Sequence, residues 1–434
     1  MEMKRILLTL LASAALSLVA GAKTDLTKYV IVYPASAEAE EGLDIAEAVA
    51  ATVESQTGIR IPVVSDNTPE VRKEILVGKT TRKESAVFYA AKPDTFDYAL
   101  SAKGNKILVQ GGGCWALMKA VAALEKNGVP KKAITGNIYG EPIFSRAEGT
   151  NLRILDDNIW QYDKDVNAPA WEAIGLDCRD EVRCRGFAEL VWATTPDIVA
   201  LQEYSAHMDA YLYPLLKERG YVRAYDPEGQ WNYTPVFYNP QTVTLLETSF
   251  HKYNPSDWSN GGTKSYNACL FSLKANGKKF YVINTHLWWK GEKAQPGSDE
   301  ARTAQVRKMM TAVDDAVFAH GCPVFMMGDM NCNLTSKAMK QLLEAGYKPL
   351  VWEATVFGDP RCGHHPCNAN GFSRQENKSN ENGMGAIDQF FIYNGKGENR
   401  GESNTEILVF QRIYAYFTIE LTDHYPNYAD IRLQ

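Results

Sequence analysis

Apolar positions in the first third of the chain change period several times. Tyr29 to Tyr33 is a short apolar run that predicts a strand. From about Ala37 to Glu54 the apolar residues Ile45, Val49 and Val53 recur every four positions, which predicts one buried helix face, stopped at Gly58. Strand-like runs follow at Ile61 to Val64 and Glu74 to Val77, then a hairpin from Tyr98 to Gln110 whose turn is Gly104-Asn105. A helix from Cys114 to Lys126 closes the stretch. Residues 24–130 thus predict a small mixed α/β domain. Residues 131–147, with breaks at Pro130 and Pro142, predict a linker to a second domain over 148–434.

From Asn151 onward the texture changes, and short apolar runs end in chemically capable residues. LRIL runs into Asp156, Asp157 and Asn158; DIVAL into Gln202 and Glu203; FYVIN into Thr285 and His286; PVFMM into Asp329 and Asn331. A strand buried along its length presents a polar end at the sheet edge, and several such ends converging make a site. A helix is predicted from Glu300 to Phe318 with Val306, Met310, Val313 and Val317 on one face. The second domain is therefore expected to be α/β, with packed sheets and outer helices.

The chain has 434 residues, 45% hydrophobic and 23% charged, which excludes disordered, collagenous and multispan membrane classes and suits two domains. The net charge of −6 gives no positive field toward nucleic acid or anionic lipid, and no basic stripe interleaved with aromatics marks duplex DNA as a partner. Lys4-Arg5, the apolar run Ile6 to Val19 and Ala20-Gly21-Ala22 have the three parts of a secretory signal. Residues 1–22 are expected to be cleaved near Ala22, leaving a periplasmic or extracellular protein; the apolar run is short for a membrane anchor. Eight cysteines lie beyond it, and the local pairs Cys178/Cys184 and Cys362/Cys367 can each close a loop in an oxidising compartment. RCGHHPC also sets His364 and His365 between cysteines, a zinc alternative. Gly111 to Gly113 lack the Lys-Ser/Thr of a phosphate loop and read as a turn before a helix.

Taken alone, the strand ends supply Asn158, Glu203, His286, Asp329 and Asn331, and the C-terminal part adds Asp388, Asp423 and His424. There is no serine or cysteine in a nucleophile elbow. Hard oxygen ligands suit Mg2+ or Mn2+, and imidazoles beside carboxylates suit acid–base work, so the inferred chemistry is metal-assisted hydrolysis of a phosphate ester.

LRILDDNIW, PDIVALQE, NTHLWW, GDMNCN, AIDQFFI and TDHYPNYADIRL, in that order, resemble the endonuclease/exonuclease/phosphatase family, with the deoxyribonuclease-I-like fold, from about Arg146 to Gln434. The resemblance implies a four-layer α/β sandwich, two packed mixed sheets flanked by helices, with the site at one end. It implies that Asn158 and Glu203 hold the divalent cation with Asp423 nearby, and that Asp329 and Asn331 orient or deprotonate the attacking water and bind phosphate. His286 would donate to a phosphate oxygen or the leaving group. His424 would meet the phosphoryl group, its tautomer fixed by Asp388. Each has a plainer reading: a solvated loop glutamate, Asp156 or Asp157 in place of Asn158, an Asx turn at GDMN, a capped turn at His286. The family often carries a basic residue two before Asp388, where Ala386 stands. Arg302 and Gln305 either brace the site or form surface pairs. EILVGK and ILVQGGGCWALMKAVAAL in the first domain resemble the non-catalytic N-terminal domain of some glycoside hydrolases of the hexosaminidase and α-glucuronidase types. That implies a glycan contact.

The segment 251–266, with Trp258, Lys264 and Tyr266, lines the cleft or forms a solvated hairpin, and Trp288-Trp289-Lys290 stacks on a ring or belongs to the core. Three functions are compatible with this chemistry. The first is an exported phosphodiesterase or phosphomonoesterase acting on a small, glycan- or lipid-head-linked phosphate. A secreted Mg2+-dependent nuclease ranks second, and a non-catalytic binding protein on the same fold third.

Overall fold

Short apolar runs, several of them buried along their whole length, supply the central strands of three six-stranded sheets. The computed structural model describes residues 24–35, 39–94, 96–161, 179–226, 230–254, 264–350, 367–368, 371–372, 387–394, 405–412, 422, 424 and 426–434. The chain divides into two compact units, Met1–Tyr139 and Gly140–Gln434. The expected signal at 1–22 lies outside the described residues. Among the described residues, no helix is long and apolar enough to cross a membrane.

The first unit runs β1 (Val30–Tyr33), α1 (Ala39–Thr57), β2 (Val63–Ser65), β3 (Glu74–Val77), α2 (Lys83–Ala90), β4 (Asp97–Lys103), β5 (Lys106–Gly111), α3 (Cys114–Asn127) and β6 (Ile134–Asn137). Its six-stranded sheet has the order β2-β1-β3-β5-β4-β6, with β4 antiparallel to both neighbours. Ile31, Ile75, Ile107 and Val109 pack with Val49 and Val53 of α1 and Val121 and Leu124 of α3, so the spacing of four in α1 does bury one face. Two elements differ from the sequence reading. The expected linker 131–147 contains β6, which covers the edge of β4 with Ile134 opposite Leu100. The helix α2 has no apolar stripe to betray it; its buried residue is Ser85, and Val87 is 63% exposed.

The second unit runs β7 (Leu152–Asn158), α4 (Asp180–Thr194), β8 (Ile198–Gln202), α5 (Ala206–Glu218), β9 (Val222–Arg223), β10 (Val236–Tyr238), β11 (Val243–Lys252), β12 (Ser265–Leu273) and β13 (Lys279–His286). It continues with α6 (Ser298–His320), β14 (Val324–Asp329), α7 (Lys337–Ala345), β15 (Lys348–Pro349), a small hairpin of β16 (Cys367–Asn368) and β17 (Gly371–Phe372), β18 (Asp388–Tyr393), β19 (Thr405–Arg412) and β20 (Asn427–Leu433). Two six-stranded mixed sheets result, β19-β20-β7-β8-β10-β9 and β11-β12-β13-β14-β18-β15. Their inner faces share a core of Leu152, Ile154, Ile198, Val282, Phe325, Met327 and Phe390. The next residues along the same strands, Ile283 and Met326, turn outward onto Val306, Met309 and Val313 of α6 and Leu342 of α7. Both faces of these strands are buried, which is why they read as continuous apolar runs. The buried stripe of α6 passes through Met309 where the sequence suggested Met310, which is only partly buried.

The first and last strands of this unit are locked by a charge pair. Arg153 on β7 is fully buried; its Nε and Nη2 donate to Asp430 of β20 at 2.5 and 2.7 Å, and its remaining donors meet the carbonyls of Phe144, Ser145 and Thr194. Cys184, one half of an expected local pair, is a free buried thiol in α4; Cys178 and Cys362 lie outside the described residues. Arg153→Met would leave Asp430 buried and unpaired, so urea unfolding is expected to show a loss of about 3–5 kcal/mol, largely recovered in Arg153→Met with Asp430→Leu.

Candidate active site

The polar strand ends meet at one edge of the sandwich because the register aligns them. Asn158 lies beside Gln202 in the first sheet. In the second, His286 is opposite Asp329, and Asp329 opposite Asp388. Gly328 makes the close approach possible: at φ 134° a Cβ would sit 1.9 Å from the Thr285 carbonyl oxygen. Two site residues leave their strands in the left-handed region, Glu203 at φ 58° and Asn331 at φ 50°. A glutamate there is strained, and local bonds hold it. The Gln161 N–H donates to Glu203 Oε2 at 3.1 Å, and buried Arg183 of α4 fixes that segment through the Trp160 carbonyl at 2.7 Å.

Asp329, 2% exposed, is the hub. Its Oδ1 accepts the Asn331 N–H at 2.8 Å, and its Oδ2 accepts Asn158 Nδ2 at 3.0 Å and Asn331 Nδ2 at 3.1 Å. The same oxygen lies 3.3 Å from His286 Nε2 and 3.9 Å from His424 Nε2. Glu203 Oε1 is 3.8 Å from His286 Nε2. Behind His424, Nδ1 faces both Asp388 oxygens at 3.0 and 2.9 Å, a carboxylate–imidazole dyad that leaves Nε2 toward the centre. Thr422 supports it by accepting the His424 N–H and donating to the Asn158 carbonyl.

Lys264, 3% exposed, donates to His286 Nε2 at 2.5 Å. Burial lowers its ammonium to about 8 against the pull of Glu203 and Asp329. Burial and that ammonium also lower the His286 imidazole from its ordinary value, against the pull of Asp329 and Glu203. Burial favours protonation of Glu203 and Asp329, but the opposing positive groups outweigh it, led by His286 and including Lys264 and His424, and hold both below the usual carboxylate range.

Of the residues expected from sequence, Asn158, Glu203, His286, Asp329, Asn331, Asp388 and His424 converge here; Asp423 lies outside the described residues. Ligand atoms of Glu203, His286 and Asp329 lie within 4.8 Å of one another, as do those of Asp329, Asp388 and His424, a spacing able to hold a cation. Asn158 differs in detail from the expected oxygen ligand, since its Oδ1 accepts the Trp160 N–H and its Nδ2 bridges the carboxylates. Asp156 accepts from Gln202 Nε2 at 2.8 Å, while Asp157 is buried and pushed well above the ordinary carboxylate range by that burial. Arg302 matches both of its readings, pairing with Asp299 and also donating to the carbonyls of Trp288 and Lys290 at 3.0 and 2.7 Å. Lys264 was legible only as part of a polar segment, and Arg183 carried no signal, because neither stands at the end of an apolar run.

The profile of the Endonuclease/Exonuclease/phosphatase family matches residues 182–424. A Bacteroides vulgatus endonuclease/exonuclease/phosphatase structure is 19% identical, covering 65% of this chain and 99% of its own, with a TM-score of 0.46. A Bacteroides thetaiotaomicron mannosyl-6-phosphatase is 15% identical over 64% of this chain and 99% of its own, with a TM-score of 0.47. The human Nocturnin catalytic domain with bound sulfate is 15% identical over 67% and 97%, also at 0.47. No curated protein matches the sequence.

Gly328→Ala tests the close approach of β13 and β14. The added methyl has only backbone to meet, so thermal unfolding should report a loss of about 3 kcal/mol or more.

Proposed function

This chain belongs to the Endonuclease/Exonuclease/phosphatase family and is a metal-dependent hydrolase of phosphoric esters, and we propose that its natural substrate is a small phosphate ester, glycan- or lipid-head-linked, met outside the cytoplasm. The observation that carries the site assignment is the convergence of Glu203, Asp329 and both imidazoles on one edge, with Asn158 bridging the two carboxylates and Asn331 donating to Asp329. The net charge of −6 and the lack of a basic stripe favour a small ester over duplex DNA. The N-terminal unit, on its glycosidase-like pattern, supplies a glycan contact.

Glu203 would hold the cation, Mg2+ or Mn2+, with Asn158 and Asp423 beside it. Hard oxygen donors beside a second buried carboxylate suit such an ion. When bound it neutralises phosphate charge and favours the ionised form of water. Asp329 orients the attacking water, because its fixed oxygens cannot turn away from the centre. His286, Lys264 and Asn331 bind the non-bridging phosphate oxygens, the lysine ammonium offsetting their charge in a water-poor site. His424 meets the phosphoryl group through Nε2, and Asp388 keeps the proton on Nδ1.

The first test is hydrolysis of bis(p-nitrophenyl) phosphate and p-nitrophenyl phosphate with EDTA, then with Mg2+ or Mn2+ restored. Turnover should return with the cation and prefer one ester. Glu203→Gln should lose bound cation, measured by calorimetry, and most activity. Metal-independent turnover, or full activity in this variant, would overturn the assignment. Efficient nicking of plasmid DNA would move the substrate to nucleic acid. Asp388→Asn should leave cation binding intact and lower kcat by about 10–100-fold, since only the imidazole loses its partner.

A further inference from the structure

The two tryptophans after His286 have opposite fates. Trp288 is buried, its backbone N–H donating to Gln305 Oε1 at 2.9 Å and its Nε1 to Ser298 Oγ at 3.2 Å. Trp289 is 53% exposed, although burying such a ring is among the most favourable things a fold can do. Its backbone is nonetheless among the best-fixed segments near the site. Asn331 Nδ2 donates to the Leu287 carbonyl at 3.2 Å, the Leu287 N–H donates to the Asp329 carbonyl at 3.0 Å, and Arg302 Nη1 holds the carbonyls on either side of Trp289. A buried guanidinium and a site amide thus hold in place a loop whose one large side chain is left in solvent. Two residues separate Trp289 from His286, so their Cα atoms are at most about 11 Å apart, within reach of a ring one group beyond a phosphate. Lys290 Nζ lies 5.3 Å from the centroid of the Trp289 ring, a cation beside the exposed indole.

From this, and resting on the phosphate-ester reading above, we propose that Trp289 is a specificity-determining platform: its indole stacks on the face of a ring carried by the substrate's alcohol group. The shared chemistry is a ring face, whether of a pyranose or of a nucleobase. Trp289 takes no part in bond breaking, so its contribution appears in binding.

The test uses the full chain with Mg2+ and three monoesters, a hexose phosphate, a nucleoside monophosphate and ringless glycerol phosphate, for the wild type, Trp289→Ala and Trp289→Phe. Trp289→Ala should raise KM about tenfold or more for one ring-bearing ester, with kcat within twofold, and leave glycerol phosphate unchanged. Trp289→Phe should restore most of the loss. Which ring-bearing ester responds separates sugar from base. A KM change equal for all three esters, or none, overturns the platform. A second readout needs no turnover: in EDTA, the responsive ester should quench wild-type tryptophan fluorescence, and Trp289→Phe should abolish that quenching. A wild type inert toward these monoesters and toward bis(p-nitrophenyl) phosphate with every cation would defeat the phosphate-ester reading alone, and quenching by a ring-bearing ester would still decide the platform. Absence of quenching in the wild type then defeats both.

Discussion

Placing several carboxylates on adjacent strand ends, away from water, is the constraint around which the second unit is built. Asp329 and Asp388 are direct cross-strand partners on β14 and β18, and like charges so placed repel. Glu203 arrives from the other sheet with a third. Burial penalises every one of them, and the structure answers with specific donors. Asn158 and Asn331 give amide protons to Asp329, His424 takes up Asp388, and Lys264 and His286 face Glu203 and Asp329. The ligand atoms of Glu203, His286 and Asp329 that this leaves within 4.8 Å of one another have a spacing that could hold a divalent cation.

Such a cluster needs strands that do not slip, since a one-residue shift turns every side chain to the other face. The two sheets are tied just below the site by amides. Gln202 Nε2 bridges Asp156 of β7 and Asn284 of β13 at 2.8 and 2.7 Å, and Asn284 Nδ2 reaches the carbonyls of Leu201, Thr234 and Pro235. These bonds lie one or two residues before Glu203, Asn158 and His286 along their strands. Buried polar ties of this kind fix geometry more than they add stability. The Arg153–Asp430 pair does the same at the far end of β7, away from the chemistry.

Most of the site was legible because strands buried on both faces read as continuous apolar runs. A strand buried on both faces must be apolar until it emerges, so the first polar residues after LRIL, DIVAL, FYVIN and PVFMM were the candidates. Residues acting from elsewhere were harder to see. Lys264 lies before its strand begins, and Arg183 sits in the first turn of a helix, where an arginine reads as surface; only tertiary packing buries it. The orientation of the Asn158 amide is likewise set by the Trp160 N–H, a contact created by the turn after the strand. In the first unit, α1, α3 and the hairpin carried clear periodicity. The short α2 and the edge strand β6 did not, because neither has more than one buried residue and so needs no apolar pattern.

The same logic separates chemistry from recognition in this fold. Groups facing the phosphate sit on strand ends whose positions the core dictates, and they can vary little without disturbing the registers that align them. Glu203 and Asn331, both at positive φ, mark where the chain leaves the sheet immediately after placing its functional atoms. Just past the strand ends, a segment such as 287–290 is held by bonds from α6, Asn331 and the Asp329 carbonyl, with Leu287 in the core, while Trp289 stays exposed. Changing what such a segment displays costs the core nothing. Substrate choice can therefore diverge here while the carboxylate and imidazole geometry stays as the sandwich sets it.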